Sequence, residues 1–230
     1  MNSSISFLHN IRTDFRSVIF DLDGTLLNTL DDISDSMNTV LKEIGCPVHS
    51  SDNYKYFVGR GIKHLVERAL PPDRRDARTL ERATERMRAV YHQNWDKKTF
   101  PYPGIPGLLD ELTRRYVRMS ILSNKPHTYT PGVVERFLPR WTFAAVAGSK
   151  PGVPQKPNPD GALEIVFAQG ENPSDVVFVG DTDVDMETAC AAGLFPAGVL
   201  WGFRTGEELL ESGALAVFDK PADLLQLFQN

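Results

Sequence analysis

The sequence predicts an α/β fold: a Rossmann-like parallel sheet core flanked by helices, with an all-helical cap inserted after the first strand. Three observations carry this. Short apolar runs recur along the chain, each followed by polar or glycine residues; amphipathic stretches separate them; and residues 29–100 break the rhythm, holding helical patterns and no convincing strand. Alternating strands and helices are the pattern of a parallel sheet covered by helices.

Residues 17–20, 119–122, 144–147, 176–179 and 198–201 are near-continuously apolar, as strands buried on both faces tend to be. In the insert, Leu30, Ile33, Met37, Val40, Leu41 and Ile44 trace one helical face, and Ala77, Leu80, Ala83, Met87, Val90 and Tyr91 trace another. The turn-rich Pro101-Tyr102-Pro103-Gly104 marks the return, with hinges expected near Thr29 and Pro103. Ile105, Leu108, Leu109, Leu112 and Tyr116 then share a helical face. A helix over 158–169 has Asn158 as N-cap, Pro159 at its first position and Gly170 where a C-terminal cap belongs. The expected division is 1–28 plus 101–230 for the core domain and 29–100 for the cap.

A chain of 230 residues with 41% hydrophobic and 24% charged residues folds around an ordinary apolar core, without a metal clip or disulfide framework. Its two cysteines, Cys46 and Cys190, lack metal-ligand spacing and read as small hydrophobes in a reducing compartment. The net charge of -5 leaves no broad basic surface for nucleic acid, and the arginines of 74–88 interleave with acids as a solvated helix face. Residues 1–14 lack a basic region followed by a long apolar run, and no apolar run is long enough to span a membrane, so a soluble, cytoplasmic protein is expected. The five histidines, His9, His49, His64, His92 and His127, form no pair with metal-ligand spacing.

The chemistry gathers at strand ends. Phe20-Asp21-Leu22-Asp23-Gly24-Thr25-Leu26 follows the first run directly, where open α/β sheets bind ligands. In extended backbone Asp21 and Asp23 point the same way and repel unless a cation or shared proton lies between them. Taken alone, Asp-Gly is also a common turn dipeptide. After 176–179 comes Gly180-Asp181-Thr182-Asp183-Val184-Asp185, bringing more carboxylates to the same edge. Helical spacing from Met186 onward puts Asp181 in the turn and Asp185 in the first helical turn. Acids at a helix start also serve as dipole partners, which suits Asp183 and Asp185 better than Asp181. Four carboxylates at one edge are costly without a hard cation, and oxygen-only ligation points to Mg2+. Ser123-Asn124-Lys125-Pro126 supplies donors suited to phosphoryl oxygens, and reads equally as a polar turn. Lys156, within Gln155-Lys156-Pro157-Asn158-Pro159, precedes a helix start that favours an anion; alone it is a surface lysine in a proline-rich loop.

In this order the four segments resemble the haloacid dehalogenase superfamily of phosphohydrolases over almost the whole chain. Asp21 to Thr25 carry its Asp-x-Asp-Gly-Thr signature, Ser123 and Lys156 its second and third motifs, and Asp181 with Asp185 its acidic motif. The insert and Ser123-Asn124-Lys125-Pro126 resemble the phosphoglycolate phosphatase-like subgroup with a helical cap. The resemblance implies a Mg2+-dependent hydrolase of a small phosphorylated metabolite: phosphoglycolate first, then sugar phosphates or pyrophosphate. Asp21 would form an aspartyl-phosphate, and Asp23 would protonate the leaving alkoxide and then activate water. Gly24, Thr25, Ser123, Asn124 and Lys156 would hold the phosphoryl group, Lys156 also offsetting the charge of Asp21. Asp21, the Asp23 carbonyl and Asp181 would bind the metal, and Asp185 would orient that shell. Asn28 stands where relatives often carry Asp.

In the cap, Arg60 within Val58-Gly59-Arg60-Gly61 is the candidate to meet a second anionic group such as a carboxylate; it reads equally as an exposed arginine in an inter-helix turn. Lys63 and His64 rank behind it. A phosphomutase shares the motifs, and a non-catalytic phosphate-binding module shares the fold, but with Asp21, Asp23, Lys156 and Asp181 all present the sequence favours the hydrolase. A dehalogenase has no need of Asp23, and a phosphonatase needs a Schiff-base lysine from the cap.

Overall fold

A computed structural model describes residues 12–229; His9 and residues 1–11 of the N-terminal segment lie outside the described residues. The chain runs β1 (Ser17–Phe20), β2 (Leu27–Asn28), α1 (Leu30–Glu43), α2 (Ser51–Lys55), α3 (Ile62–Ala69), α4 (Ala77–His92), β3 (Phe100–Pro101), α5 (Ile105–Arg114), β4 (Arg118–Pro126) and α6 (Thr130–Phe137). It continues through β5 (Ala145–Ser149), α7 (Asp160–Ala168), β6 (Val176–Gly180), α8 (Asp183–Ala192), β7 (Phe195–Val199), α9 (Gly206–Glu211) and β8 (Ala216–Phe218).

Alternate residues of the central strands feed two separate cores, which is why the strands read as continuous apolar runs. Val18 and Phe20 of β1, with Val177 and Val179 of β6, join the cluster covered by α5 and α6. Ile19, Val176 and Phe178 join the cluster covered by α7 and α8. Six parallel strands result, in the order β5-β4-β1-β6-β7-β8. The chain builds outward from β1 through β4 to β5, then crosses back to β6 and builds outward to β8, so strand order reverses at β1. Ligand crevices of open sheets form at such a reversal, beyond the carboxyl ends of the strands. Phe20 pairs with Ile121 on one side and Val179 on the other, so Asp21 leaves the sheet beside the middle of β4 and the end of β6.

The helices α1, α3 and α4 bury a third cluster that includes Met37, Val40, Leu41, Leu65, Val66 and Met87, with Phe203 from beyond β7 packed into it. The chain leaves the sheet layer through β2 and returns through β3, and these two-residue strands pair antiparallel. Asp32 of α1 is 2% exposed and ties the return: its carboxylate accepts from the Lys98 and Thr99 backbone N–H groups and from the Thr99 hydroxyl.

Several expectations shift. The last foreseen strand, 198–201, lies at 195–199 instead, and Trp201 turns away so that its indole donates to the Thr25 carbonyl at 2.9 Å. The short strands β2, β3 and β8 carry too few residues to show a pattern, and β3 places Phe100 outside the strand-free stretch. Tyr116 leaves the apolar face because α5 ends at Arg114; with φ of 56° it closes a turn and is 93% exposed. The helix expected from Pro159 begins one residue later at Asp160, whose N–H bonds Asn158 Oδ1, and Gly170 ends it in the left-handed region. Cys46 is buried as expected, but Cys190 is exposed. Among the described residues no helix is long and apolar enough to cross a membrane.

Candidate active site

Asp21 emerges from β1 buried, its N–H bonded to the Val179 carbonyl at 2.9 Å. Lys156, from the loop before α7, reaches its Oδ1 at 2.7 Å and also reaches Asp185 Oδ1 at 2.6 Å. Asp185 is the third residue of α8 and closes a capping box, its Oδ2 accepting from the Thr182 N–H at 3.0 Å and the Thr182 hydroxyl at 2.6 Å. Asp181 is fully buried; it accepts from the Thr25 hydroxyl at 3.0 Å and the Phe203 N–H at 2.8 Å. Two glycines clear its place, since a Cβ on Gly24, which sits at φ of 95°, or on Gly202 would overlap the Asp181 side chain.

Asp21, Asp181 and Asp185 offer carboxylate oxygens that all lie within 4.8 Å of one another. Burial pushes the Asp21 carboxyl up to about 7, opposed by Lys156 and reinforced by Asp185 and Asp23. Burial, then the charges of Asp185 and Asp21, raises Asp181 well above the usual carboxylate range. For Lys156 burial works against the charge, yet Asp185 and Asp21 prevail and hold its ammonium above the ordinary lysine value. Three buried carboxylates facing one ammonium leave an excess of negative charge, and an all-oxygen donor set of this kind fits a divalent cation. Both oxygens of Asp185 accept from protein donors, as do both oxygens of Asp181.

Three carboxylates converge rather than four. Asp23 turns its side chain to Lys125, whose Nζ lies 2.9 and 3.1 Å from its oxygens and donates to the Tyr91 hydroxyl at 2.7 Å. Asp183 turns outward to Arg60 and Arg204. Of the residues expected to hold a phosphoryl group, Ser123 and Lys156 line the cavity beside Asp21, Ser123 also accepting from the Lys125 N–H. Asn124 lines it too, but its amide clasps main chain, donating to the Gly59 and Lys156 carbonyls and accepting from the Lys156 N–H. Thr25 spends its hydroxyl on Asp181, and the Gly24 N–H bonds the Leu27 carbonyl. Arg60 does not reach the cavity: its guanidinium pairs with Asp183 at 2.7 Å and Glu187 at 3.6 Å, two carboxylates of α8 that hold it at the rim. His64 lies beside it in that outer cleft.

The cavity, part of it open to solvent, lies between the strand ends and α1, α3 and α4. Sequence reasoning missed Tyr91 as a site residue, treating it as one more apolar position of α4. It also missed Lys125 as a partner of Asp23, and Trp201 and Phe203 as supports of the Asp21–Thr25 loop and Asp181.

A parallel sheet that gathers a buried carboxylate trio and one lysine at its strand reversal defines the class, and the chain belongs to the haloacid dehalogenase-like hydrolase family, whose sequence profile matches residues 18–199. Within that family it is phosphoglycolate phosphatase-like. The phosphoglycolate phosphatase of Aquifex aeolicus is 31% identical over 215 residues, covering 94% of this chain and 97% of its own. Phosphoglycolate phosphatase 1 of Pseudomonas aeruginosa is 30% identical over 213 residues, covering 91% of this chain and 78% of its own. A crystal structure from Lactobacillus delbrueckii subsp. bulgaricus superposes with a TM-score of 0.88 at 26% identity, covering 94% of this chain and 99% of that one.

Proposed function

We propose that the protein is a Mg2+-dependent phosphatase of the cytoplasm, hydrolysing a small phosphorylated metabolite through an aspartyl-phosphate on Asp21, with phosphoglycolate as first candidate. The observation that carries this is Lys156, which bridges Asp21 and Asp185 with its ammonium while Asp181 stands within reach of both. That arrangement sets a counter-charge beside the buried Asp21 and gives an incoming phosphoryl group a cation to face.

Asp21 attacks phosphorus, forming an acyl phosphate as the ester P–O bond breaks, and Asp23 hands its proton to the departing alkoxide oxygen. Asp23 then takes a proton from water as that water displaces Asp21, releasing inorganic phosphate. Ser123 and Lys156 hold phosphoryl oxygens throughout, and Asn124 fixes the loop that carries Lys156. Magnesium held by Asp21, the Asp23 carbonyl and Asp181 supplies charge neutralisation on the phosphoryl oxygens when bound. Residues 1–28 and 101–230 act as the catalytic core, and 29–100 as a cap that moves about β2 and β3 to exclude water. The separate apolar cluster of α1, α3 and α4 supports that division.

The test is phosphate release from 2-phosphoglycolate with and without magnesium, for the wild-type chain and for Asp21→Asn. The expected result is turnover that EDTA stops and magnesium restores, and a loss of at least about 10³-fold in the variant. Near wild-type release from Asp21→Asn sinks the mechanism; transfer of phosphate to a second sugar phosphate without net release points to a mutase.

A further inference from the structure

Two ammonium groups line the cavity among the described residues. Lys156 stands on the phosphoryl side, held by Asp21 and Asp185. Lys125 stands instead against both oxygens of Asp23. In the mechanism above Asp23 faces the ester oxygen, so Lys125 lies next to the first atoms of the leaving group. Its ammonium donates to the Tyr91 hydroxyl, which leaves the phenol proton of Tyr91 available to donate in turn. The three donors of Lys125 go to Asp23 and Tyr91, so it is when Asp23 turns to the ester oxygen that the released ammonium and the phenol O–H beside it match the two oxygens of one carboxylate.

Ser123, Asn124 and Thr182 also line the cavity, but much of the wall toward α1, α3 and α4 is apolar. Ile33, Val58, Ile62, Leu65 and Met87 contribute apolar side chains. Tyr129 also lines the cavity, but its hydroxyl donates to the Arg88 carbonyl at 3.1 Å. Hydroxyl groups of a sugar entering this space would lose water and find apolar carbon, an unfavourable exchange for every buried polar group left unpaired. Arg60, the sequence candidate for a second anion, is engaged by Asp183 and Glu187 outside the cavity.

We infer that Lys125 and the Tyr91 hydroxyl form the receptor for a carboxylate carried one carbon from the ester oxygen, so that the substrate class is a short phosphorylated 2-hydroxy acid and polyol phosphates are excluded. This rests on the phosphatase reading above and assigns its selectivity to residues of β4 and α4. The size of the effect follows from a hydrogen bond to a charged group, worth about tenfold to a hundredfold in transition-state binding.

The experiment compares kcat/KM for 2-phosphoglycolate, for isobutyl phosphate as its neutral counterpart of similar size, and for glucose 6-phosphate. In the wild-type chain phosphoglycolate should exceed isobutyl phosphate by about tenfold or more, with glucose 6-phosphate lower still. Lys125→Met should bring the ratio of the first two to about one, with the change concentrated in KM for phosphoglycolate. Any loss of Asp23 positioning lowers kcat for both esters and cancels in the ratio. Tyr91→Phe, which keeps the ring, should lower the ratio about threefold and carries the test if Lys125→Met fails to fold. An unchanged ratio in a folded Lys125→Met, an unchanged ratio in Tyr91→Phe, or a collapse in Arg60→Met alone overturns the receptor. So does glucose 6-phosphate turned over as fast as phosphoglycolate. Absence of phosphate release from all three esters in the wild-type chain overturns the phosphatase reading itself, whereas brisk release without selectivity overturns only the receptor.

Discussion

Replacing Lys156 with methionine removes the ammonium that touches Asp21 at 2.7 Å and Asp185 at 2.6 Å, both buried. Taking one partner from a buried ion pair costs about 3–5 kcal/mol, because the charge left behind has neither water nor counter-ion. Packing should suffer little: Lys156 Nζ lies 5.4 Å from the Phe178 ring centre, a distance at which a thioether also interacts well with an aromatic. For a domain of this size each kcal/mol moves the melting temperature by about 2–4 °C, so a fall of about 6–20 °C is expected near neutral pH. The loss should depend on pH with a definite sign. Without the lysine, Asp21 escapes the penalty by holding a proton that the unfolded chain has released, so the folded variant binds more protons and loses stability as pH rises. Asp21 is pushed to about 7 even with Lys156 in place, so the gap to wild type should be widest above that value and narrow toward the ordinary 3.8. Thermal melts of EDTA-treated protein at several pH values measure this. A fall under about 1 kcal/mol that is the same in acid and at neutral pH would refute the view of Lys156 as counter-charge to the trio.

Two further perturbations probe the supports. Gly202→Ala places a methyl against the Asp181 side chain; overpacking should cost about 1–3 kcal/mol, and titration calorimetry should find magnesium bound at least tenfold more weakly, roughly the effect of disturbing a ligand's support. Unaltered metal affinity would mean that Asp181 is not held in place by this loop. Asp32→Ala strips the partner from the Lys98 and Thr99 N–H groups and the Thr99 hydroxyl. Urea unfolding should show a loss of about 3 kcal/mol or more, and a loss under about 0.5 kcal/mol would mean that water satisfies the return segment.

What the sequence discloses and what it hides follow from range. Strands β1, β4 and β6 are legible because their residues are buried on two faces, and Asp21, Ser123 and Asp181 are legible because each follows such a run. The run 198–201 misleads: Leu200 and Trp201 are apolar, but they belong to the loop that carries Gly202 and Phe203 over Asp181. The pairing of Lys125 with Asp23 and Tyr91 joins three distant segments, and no local pattern announces it. Arg60 illustrates the converse. Its glycine-flanked position suggested a substrate contact, and only the folded chain brings Asp183 and Glu187 close enough to claim it.

The central place of β1 bears on how the molecule comes into being. Ser17 finds one neighbour in Arg118 and the other in Val176, so the strand that leads to Asp21 waits for most of the chain before it is enclosed. Contacts so far apart along the backbone are slow to form, because loop closure must come before any reward. During synthesis the helices of 29–100 can gather early from neighbouring sequence. The carboxylates of Asp21, Asp181 and Asp185 cannot crowd together until the last third of the chain exists, so reactivity and completeness of the fold arrive together.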